Sequence, residues 1–356
     1  MGTVFSSAWA SLPPLAEFAP PSPAAYITVL SIFQYFPVVS IVQWILSWHP
    51  AGKTSIQNSL FNIPGRLAWF TMEIVGPLNL LFNLSQTSPS LLELPVTNQL
   101  VVALYCIHYT NRAIISPFFS APSMSPIHVF VMTSAIAFNW FNSSCLSGWL
   151  YGYEISIPGL RTQGSDAFHS ASSTLVHVLP VIGTSLFFIG MIGNIYSETA
   201  LFRFRREEVE KRATKKADIK APGNGTNKFH KVYVIPPVKG VFRSILYPHY
   251  VFEWLEWTGF ALAGLAVFPS VTSGNSTLYE KAGAPLFFRP APWVMPVVQA
   301  ADSLGLPLPL PAVVFVINAV ANMLPHARWG RKWYVEKFGE KEVAGRGAVV
   351  PWCPWM

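Results

Sequence analysis

The sequence predicts an all-α integral membrane protein in which about seven transmembrane helices enclose an intramembrane pocket. Three observations carry that expectation. Charged residues make up only 12% of the chain and hydrophobic residues 51%, a balance that soluble domains rarely show. Apolar stretches of about 20 residues, long enough to cross a bilayer, recur along the chain. Several of them nevertheless hold an ionisable group or an amide: Glu73, His108, Arg112, Asn194, Glu253 and Glu256. Such groups are costly in hydrocarbon, so each marks a candidate site rather than a lipid-facing position.

The expected spans follow in order. The first, 26–48, has no formal charge. The second, 66–84, contains Glu73, and the third, 97–118, contains His108, Tyr109 and Arg112. The fourth and fifth cover 127–150 and 174–197, and the sixth covers 250–271. The seventh lies within 295–324 and is interrupted by Pro307, Pro309 and Pro311, which break or kink a membrane helix. The chain thus divides into a lumenal segment, 1–25, a seven-span domain, 26–340, and a tail, 341–356. A flexible basic insert at about 203–232 interrupts the domain.

Orientation comes from the basic residues. Twelve of the 24 Lys and Arg residues fall between Arg203 and Arg243, and more follow the last span. Seven spans put that loop and the tail on one side, the cytosol, and the N-terminus in the lumen. The loop at 272–294 is then lumenal, with a glycosylation sequon at Asn275. Sequons at Asn83 and Asn142 fall in spans and one at Asn224 in the cytosolic loop, so these three read as chance matches. The net charge of +7 is accounted for by this asymmetry and does not call for a nucleic-acid partner. Cys106, Cys145 and Cys353 lack metal or disulfide spacing and the histidines are scattered, so no metal site is expected. Residues 1–25 carry no Lys or Arg, unlike the start of a signal peptide.

Four segments carry candidate chemistry. In GRLAWFTMEIVGP (65–77), Arg66, Trp69 and Glu73 share one helical face. A carboxyl at that depth is either half of an ion pair or a functional acid, which can stay protonated and donate a hydrogen bond. In YCIHYTNR (105–112), Tyr109 and Arg112 are one turn apart, in a site or in an interfacial aromatic belt. In GMIGNIYSETALFRFR (190–205), Asn194, Glu198 and Arg205 form one stripe running out of the membrane. An amide, a carboxylate and a guanidinium in that order suit a nucleotide, or a solvated helix end. In YPHYVFEWLEW (247–257), His249, Glu253 and Glu256 share a face that should turn into the bundle, where a His–Glu pair or a bound ligand would satisfy it. Neither GxGxxG after a strand nor a Walker A sequence is present.

Together these segments resemble the steroid 5α-reductase family of membrane oxidoreductases, as a divergent, fungal-like member. GRLAWFTMEI, ALYCIHYTNR, FFIGMIGNIYSE, YVFEWLEWTGFAL and KWYVEKF occur in the family's order over about residues 60–340. The resemblance implies NADPH-dependent reduction of the carbon–carbon double bond of an α,β-unsaturated ketone, typically a 3-oxo-Δ4-steroid, in the endoplasmic reticulum membrane. It implies Glu73 and Tyr109 as catalytic residues. It implies a cofactor site drawn from Arg112, Asn142, Asn194, Arg205, Tyr233, Glu253 and Tyr334. Glu198 stands where the family usually has Asp, and His249 where it often has Asn; both are counted with the cofactor set. A His pair common before the C-terminal aromatic-Tyr is replaced by Gly330 and Arg331.

The chemistry suits these residues. Hydride adds to the β-carbon, charge develops on the ketone oxygen, and each well-placed donor there stabilises the transition state by about 3–4 kcal/mol. The proton for the α-carbon comes from Tyr109 or from water. Trans-2-enoyl-CoA and polyprenol reductases of the same superfamily share the Pro248-His249-Tyr250 form. Enoyl-CoA members commonly begin with a ubiquitin-like domain, for which the residues before the first span leave no room. A membrane methyltransferase using S-adenosylmethionine and a non-enzymatic seven-span receptor are the readings outside the family.

Overall fold

The computed structural model of the chain describes residues 12–46, 59–87, 91–160, 174–217, 228–229, 232–267, 285–353 and 355. Asn224 and Asn275 lie outside them. The chain is mostly helical. Helices α1 (Pro23–Phe33) and α2 (Phe36–Ile45) form the first expected span, divided where the chain turns at Gln34 and Tyr35. Ser22 caps α1, its hydroxyl accepting from the Ala25 amide at 3.2 Å. Helix α3 (Gly65–Thr87) runs through Pro77. Helix α4 (Val96–Tyr109) passes without a break into a π-helical stretch, Thr110–Ser120. Helix α5 (Val129–Tyr151) is capped by His128 and stops at Gly152, whose φ of 112° is open to glycine.

Helix α6 (Thr174–Ala217) is 44 residues long. It runs well past the expected end of its span, and so 203–217, expected to belong to a flexible insert, is its charged end. Pairs at helical spacing, such as Arg212 with Glu208 at 2.7 Å, support that extension. Helix α7 (Pro248–Ala263) follows, then α8 (Met295–Ser303), α9 (Leu310–Phe338) and the short α10 (Glu340–Val343). Pro307 and Pro309 lie in the unwound link between α8 and α9, and Pro311 is in the first turn of α9. The last long helix therefore starts among the prolines, with Pro311 in its first turn, instead of being interrupted by them.

Two small sheets tie loops together. Strand β1 (Asn62–Ile63) pairs antiparallel with β2 (Ile127–His128), Ile63 opposite Ile127. Strand β3 (Ile155–Ser156) pairs parallel with β4 (Leu286–Phe287).

Among the described residues, five helical stretches are long and apolar enough to cross a membrane: Pro23–Ile45, Gly65–Gln86, Val129–Tyr151, Thr174–Thr214 and Leu310–Phe338. The chain is a multi-pass membrane protein, and these five stretches belong to the expected seven. The third and sixth expected spans are helical as well: α4 with its π-helical continuation covers 96–120 and α7 covers 248–263, and both carry polar groups that turn inward. Outward faces are apolar, as at Val181, Ile189 and Ile192 on α6.

Helices α6 and α7 pack backbone against backbone. A Cβ on Gly190 would collide with the backbone of Glu256, and one on Gly183 with that of Ala263. Small residues let two membrane helices approach to backbone contact. That approach brings Asn194, one turn beyond Gly190, against α7.

The C-terminal tail is woven into the fold. Arg346 is fully buried and donates to the carbonyls of Val343, Glu342, Pro236 and Phe242 at 2.8–3.2 Å. Burial pushes its pKa down, and Tyr334 nearby works in the opposite direction. Leu246 N donates to Gly347 O at 3.0 Å, so the tail fixes the chain just before α7.

Candidate active site

Glu73 lies in the middle of α3, on the face that also carries Arg66 and Trp69, as the spacing predicts. All three turn toward α4 and its π-helical extension. Arg66 donates to Ala121 O at 3.0 Å, and the Trp69 indole donates to Arg112 O at 3.0 Å. The Arg112 guanidinium stacks over Trp69 at 4.6 Å from the ring centre. Its Nε is 3.6 Å from Glu73 Oε1, and its Nη1 donates to Glu198 Oε1 at 2.9 Å. Arg112 therefore bridges a carboxylate of α3 and one of α6. Of the two readings open for Glu73, the ion pair is present, its cation supplied by another helix.

Tyr109 is buried at the junction of α4 and the π-helical stretch. Its hydroxyl donates to Asn139 Oδ1 at 2.8 Å. The Asn139 amide in turn donates to Met72 O at 2.6 Å and to Glu73 Oε2 at 3.4 Å. Tyr109 and Glu73 are thus joined through one side chain of α5. Gly76, one turn beyond Glu73, makes room for this arrangement: a Cβ there would lie 2.8 Å from Tyr105 Oη and 3.4 Å from Tyr109 Cζ.

Asn194 donates to His249 O at 3.0 Å and to Glu253 Oε2 at 3.2 Å, fixing the start of α7. Ser116 donates to the second oxygen of Glu198 at 3.3 Å. The expected polar face of α7 is buried at Glu253 and Glu256, but the histidine partner differs from the one its own helix offers. Glu256 Oε1 pairs with His108 Nδ1 at 2.7 Å, and the His108 ring lies 4.3 Å from that of Trp257. His249 instead packs on Tyr250, with ring centres 4.6 Å apart.

Asn142 donates to Tyr105 Oη at 3.2 Å. Its Oδ1, like Glu256 Oε2, is buried without a hydrogen-bond partner among the described residues. The remaining expected residues gather elsewhere. Arg205 spends its guanidinium on carbonyls, those of Val232 at 3.1 Å, Ser123 at 3.3 Å and Phe229 at 2.9 Å. Tyr233 stands edge-on to Trp333 at 5.0 Å. Tyr334 is buried between Tyr247 and Phe338. These three join the charged end of α6 to the chain before α7 and to the end of α9.

The structure therefore brings Glu73, Tyr109, Arg112 and Glu198 into one network and pairs Asn194 with Glu253, while Asn142 bonds Tyr105 next to Tyr109. Sequence reasoning missed Asn139 and the crossed His108–Glu256 pair. The signal for Asn139 was present: it stands three residues before Asn142 in an apolar span and shares its face. Nothing local points from His108 to Glu256, 148 residues away.

Comparison with known proteins bears on this network. The family model described as 3-oxo-5-alpha-steroid 4-dehydrogenase matches residues 125–275. The match takes in Asn142, Asn194, Glu198, Arg205, Tyr233, His249 and Glu253, and leaves Glu73, Tyr109, Arg112 and Tyr334 outside. An uncharacterised protein of Schizosaccharomyces pombe is 27% identical over 343 residues, 92% of this chain and 97% of its own length. Steroid 5-alpha-reductase DET2 of Solanum lycopersicum is 24% identical over 330 residues, 92% of this chain and 95% of its own. Over most of its length the chain is similar to a steroid 5α-reductase. A mammalian relative, 3-oxo-5-alpha-steroid 4-dehydrogenase 1 of Bos taurus, is 25% identical over 231 residues, 65% of this chain and 76% of its own.

Proposed function

We propose that this protein reduces the carbon–carbon double bond of an α,β-unsaturated ketone with NADPH, the substrate being an apolar enone of the 3-oxo-Δ4-steroid type or a related sterol or lipid. The observation that carries the reading is the joining of Glu73 to Tyr109 through Asn139, deep among membrane helices. A phenol and a carboxyl converging there can meet one ketone oxygen. As negative charge builds on that oxygen, Tyr109 donates to it, while Glu73 and the nearby Arg112 fix the polarity of the site.

The residues present fit a dinucleotide. Asn142 Oδ1 is an acceptor without a donor, which an amide NH₂ such as that of nicotinamide would satisfy. Arg112 and Glu198 offer a cation for phosphate and a carboxylate for ribose hydroxyls, with Asn194 and Glu253 beside them. NADPH, when bound, supplies hydride to the β-carbon. Arg205, Tyr233, His249 and Tyr334 complete the proposed site from the polar end, Arg205 by holding the carbonyls that shape it. The basic residues between Arg203 and Arg243 favour the extra phosphate of NADPH over NADH.

The proposed location is the endoplasmic reticulum membrane, with the N-terminus lumenal and the basic loop cytosolic. A glycosylation reporter in that loop should stay unmodified, and its modification would reverse the orientation. The function is tested by assaying purified protein against a panel of enones with NADPH and with NADH. Turnover of a steroid enone with NADPH is expected. Turnover confined to an enoyl-CoA would move the protein to that branch. Failure to bind NADPH, with binding of S-adenosylmethionine or of neither, would remove the reductase reading.

A further inference from the structure

We infer that Asn139 is a positioning residue for this reduction, holding Tyr109 and Glu73 in register and setting the direction of the Tyr109 hydrogen bond; this rests on the enone-reductase reading above. The argument begins with what each atom can do. Met72 O is a backbone carbonyl and can only accept, so the group 2.6 Å from it must be the NH₂ of Asn139. The same NH₂ reaches Glu73 Oε2 at 3.4 Å. The carbonyl oxygen of Asn139 is thereby turned to Tyr109, and at 2.8 Å the phenol has to be the donor. Asn139 is itself buried, so water does not compete for either end.

In the resting site the phenol proton is thus held by a neutral amide oxygen. A ground-state ketone is a similar acceptor and gains little by taking that hydrogen bond. An oxygen acquiring negative charge is a much stronger acceptor, and the phenol can swing to it by rotation about its Cζ–Oη bond, with no covalent bond made or broken. The donation is then realised chiefly in the transition state, the condition under which an interaction raises kcat rather than only tightening binding. A residue that could not accept at position 139 would release the phenol early and leave its ring unregistered against Glu73. A residue that could not donate would lose Met72 O and Glu73.

The test is a double-mutant cycle on the best enone, using the full-length protein in detergent. Asn139→Leu is expected to lower kcat on the order of tenfold, the effect of one lost hydrogen bond. The KM for enone should stay level or fall, and that for NADPH should stay unchanged. Added to Tyr109→Phe, Asn139→Leu should cost no more than about a further twofold, because both act through one hydroxyl. Full kcat in Asn139→Leu, or two losses that multiply, would overturn the inference while leaving Tyr109 catalytic. Full turnover by Tyr109→Phe alone would instead remove the catalytic reading of Tyr109 and this inference with it. Should Asn139→Leu fail to fold, Asn139→Asp preserves the shape. Its acid form alone can serve Met72 O, so its kcat should rise as pH falls. A pH profile parallel to that of the unaltered protein would count against Asn139.

Discussion

Helices α3 and α5 meet along one seam, and its two halves differ in chemistry. In the C-terminal half, Asn79 donates to the hydroxyls of Ser143 and Ser144 at 2.8 and 2.9 Å, and Asn83 to that of Ser147 at 3.3 Å. The groups are neutral, and two helices supply them all. In the N-terminal half, Glu73 and Asn139 open onto Tyr109 and Arg112 from α4 and its extension, Glu198 from α6, and through them toward Glu253 and Glu256 of α7. The groups there are charged, several elements contribute, and Asn142 Oδ1 and Glu256 Oε2 are left without partners. A neutral amide–hydroxyl seam holds two helices together without bringing charge into the membrane. A charged network that stays incompletely satisfied inside a membrane protein is what the proposed cofactor and substrate would complete.

Four sets of substitutions test that contrast. The largest effect is expected from His108→Ala or Glu256→Ala. Either leaves one member of a buried pair alone and should lower stability by about 3–5 kcal/mol, seen as a lower Tm in detergent. His108→Leu combined with Glu256→Leu should recover most of it. An unchanged Tm in the single variants would mean the pair does not join α4 to α7.

Next come the proposed catalytic groups. Tyr109→Phe and Glu73→Ala should each lower kcat by about 10²-fold or more while NADPH still binds, with Glu73→Gln milder because its amide oxygen can still accept from Asn139. Normal turnover by both would reduce the charged half of the seam to scaffolding.

Arg205 should give a smaller and different effect. Arg205→Ala releases three carbonyls at the polar end and should raise the KM for NADPH on the order of tenfold, with kcat little changed. Arg205→Lys should not restore it, since an ammonium lacks the planar fork that reaches several carbonyls at once. A KM equal to that of the unaltered protein would detach Arg205 from the cofactor.

The smallest effect belongs to the neutral half. Ser144→Ala leaves Asn79 bonded to Ser143 and should cost about 0.6 kcal/mol, with kcat unaltered. A large drop in kcat there would show that the two halves of the seam are not independent.

Much of this architecture was legible in advance because membrane insertion is a local matter. Length and apolarity over about 20 residues decide it, and proline acts on its own helix. The same holds for faces: the stripes Arg66–Trp69–Glu73 and Asn194–Glu198 are consequences of helical periodicity, and both turn inward as expected. Where the reading faltered, a neighbour decided the outcome. Glu256 of α7 takes its histidine from α4 and not from its own helix. Helix α6 runs through a stretch whose charge suggested a flexible insert, because charges at helical spacing pair along it.

The sequence by itself determined a membrane-embedded helical protein, the inward faces and the set of polar groups that had to find partners. Only the tertiary structure decided the partners. Glu256 meets His108 rather than His249, Arg112 spans Glu73 and Glu198, and Asn139 stands between Tyr109 and Glu73. The physical reason is that periodicity fixes the direction of a side chain within its helix. Which helix lies opposite is fixed by packing, here by contacts as close as that at Gly190.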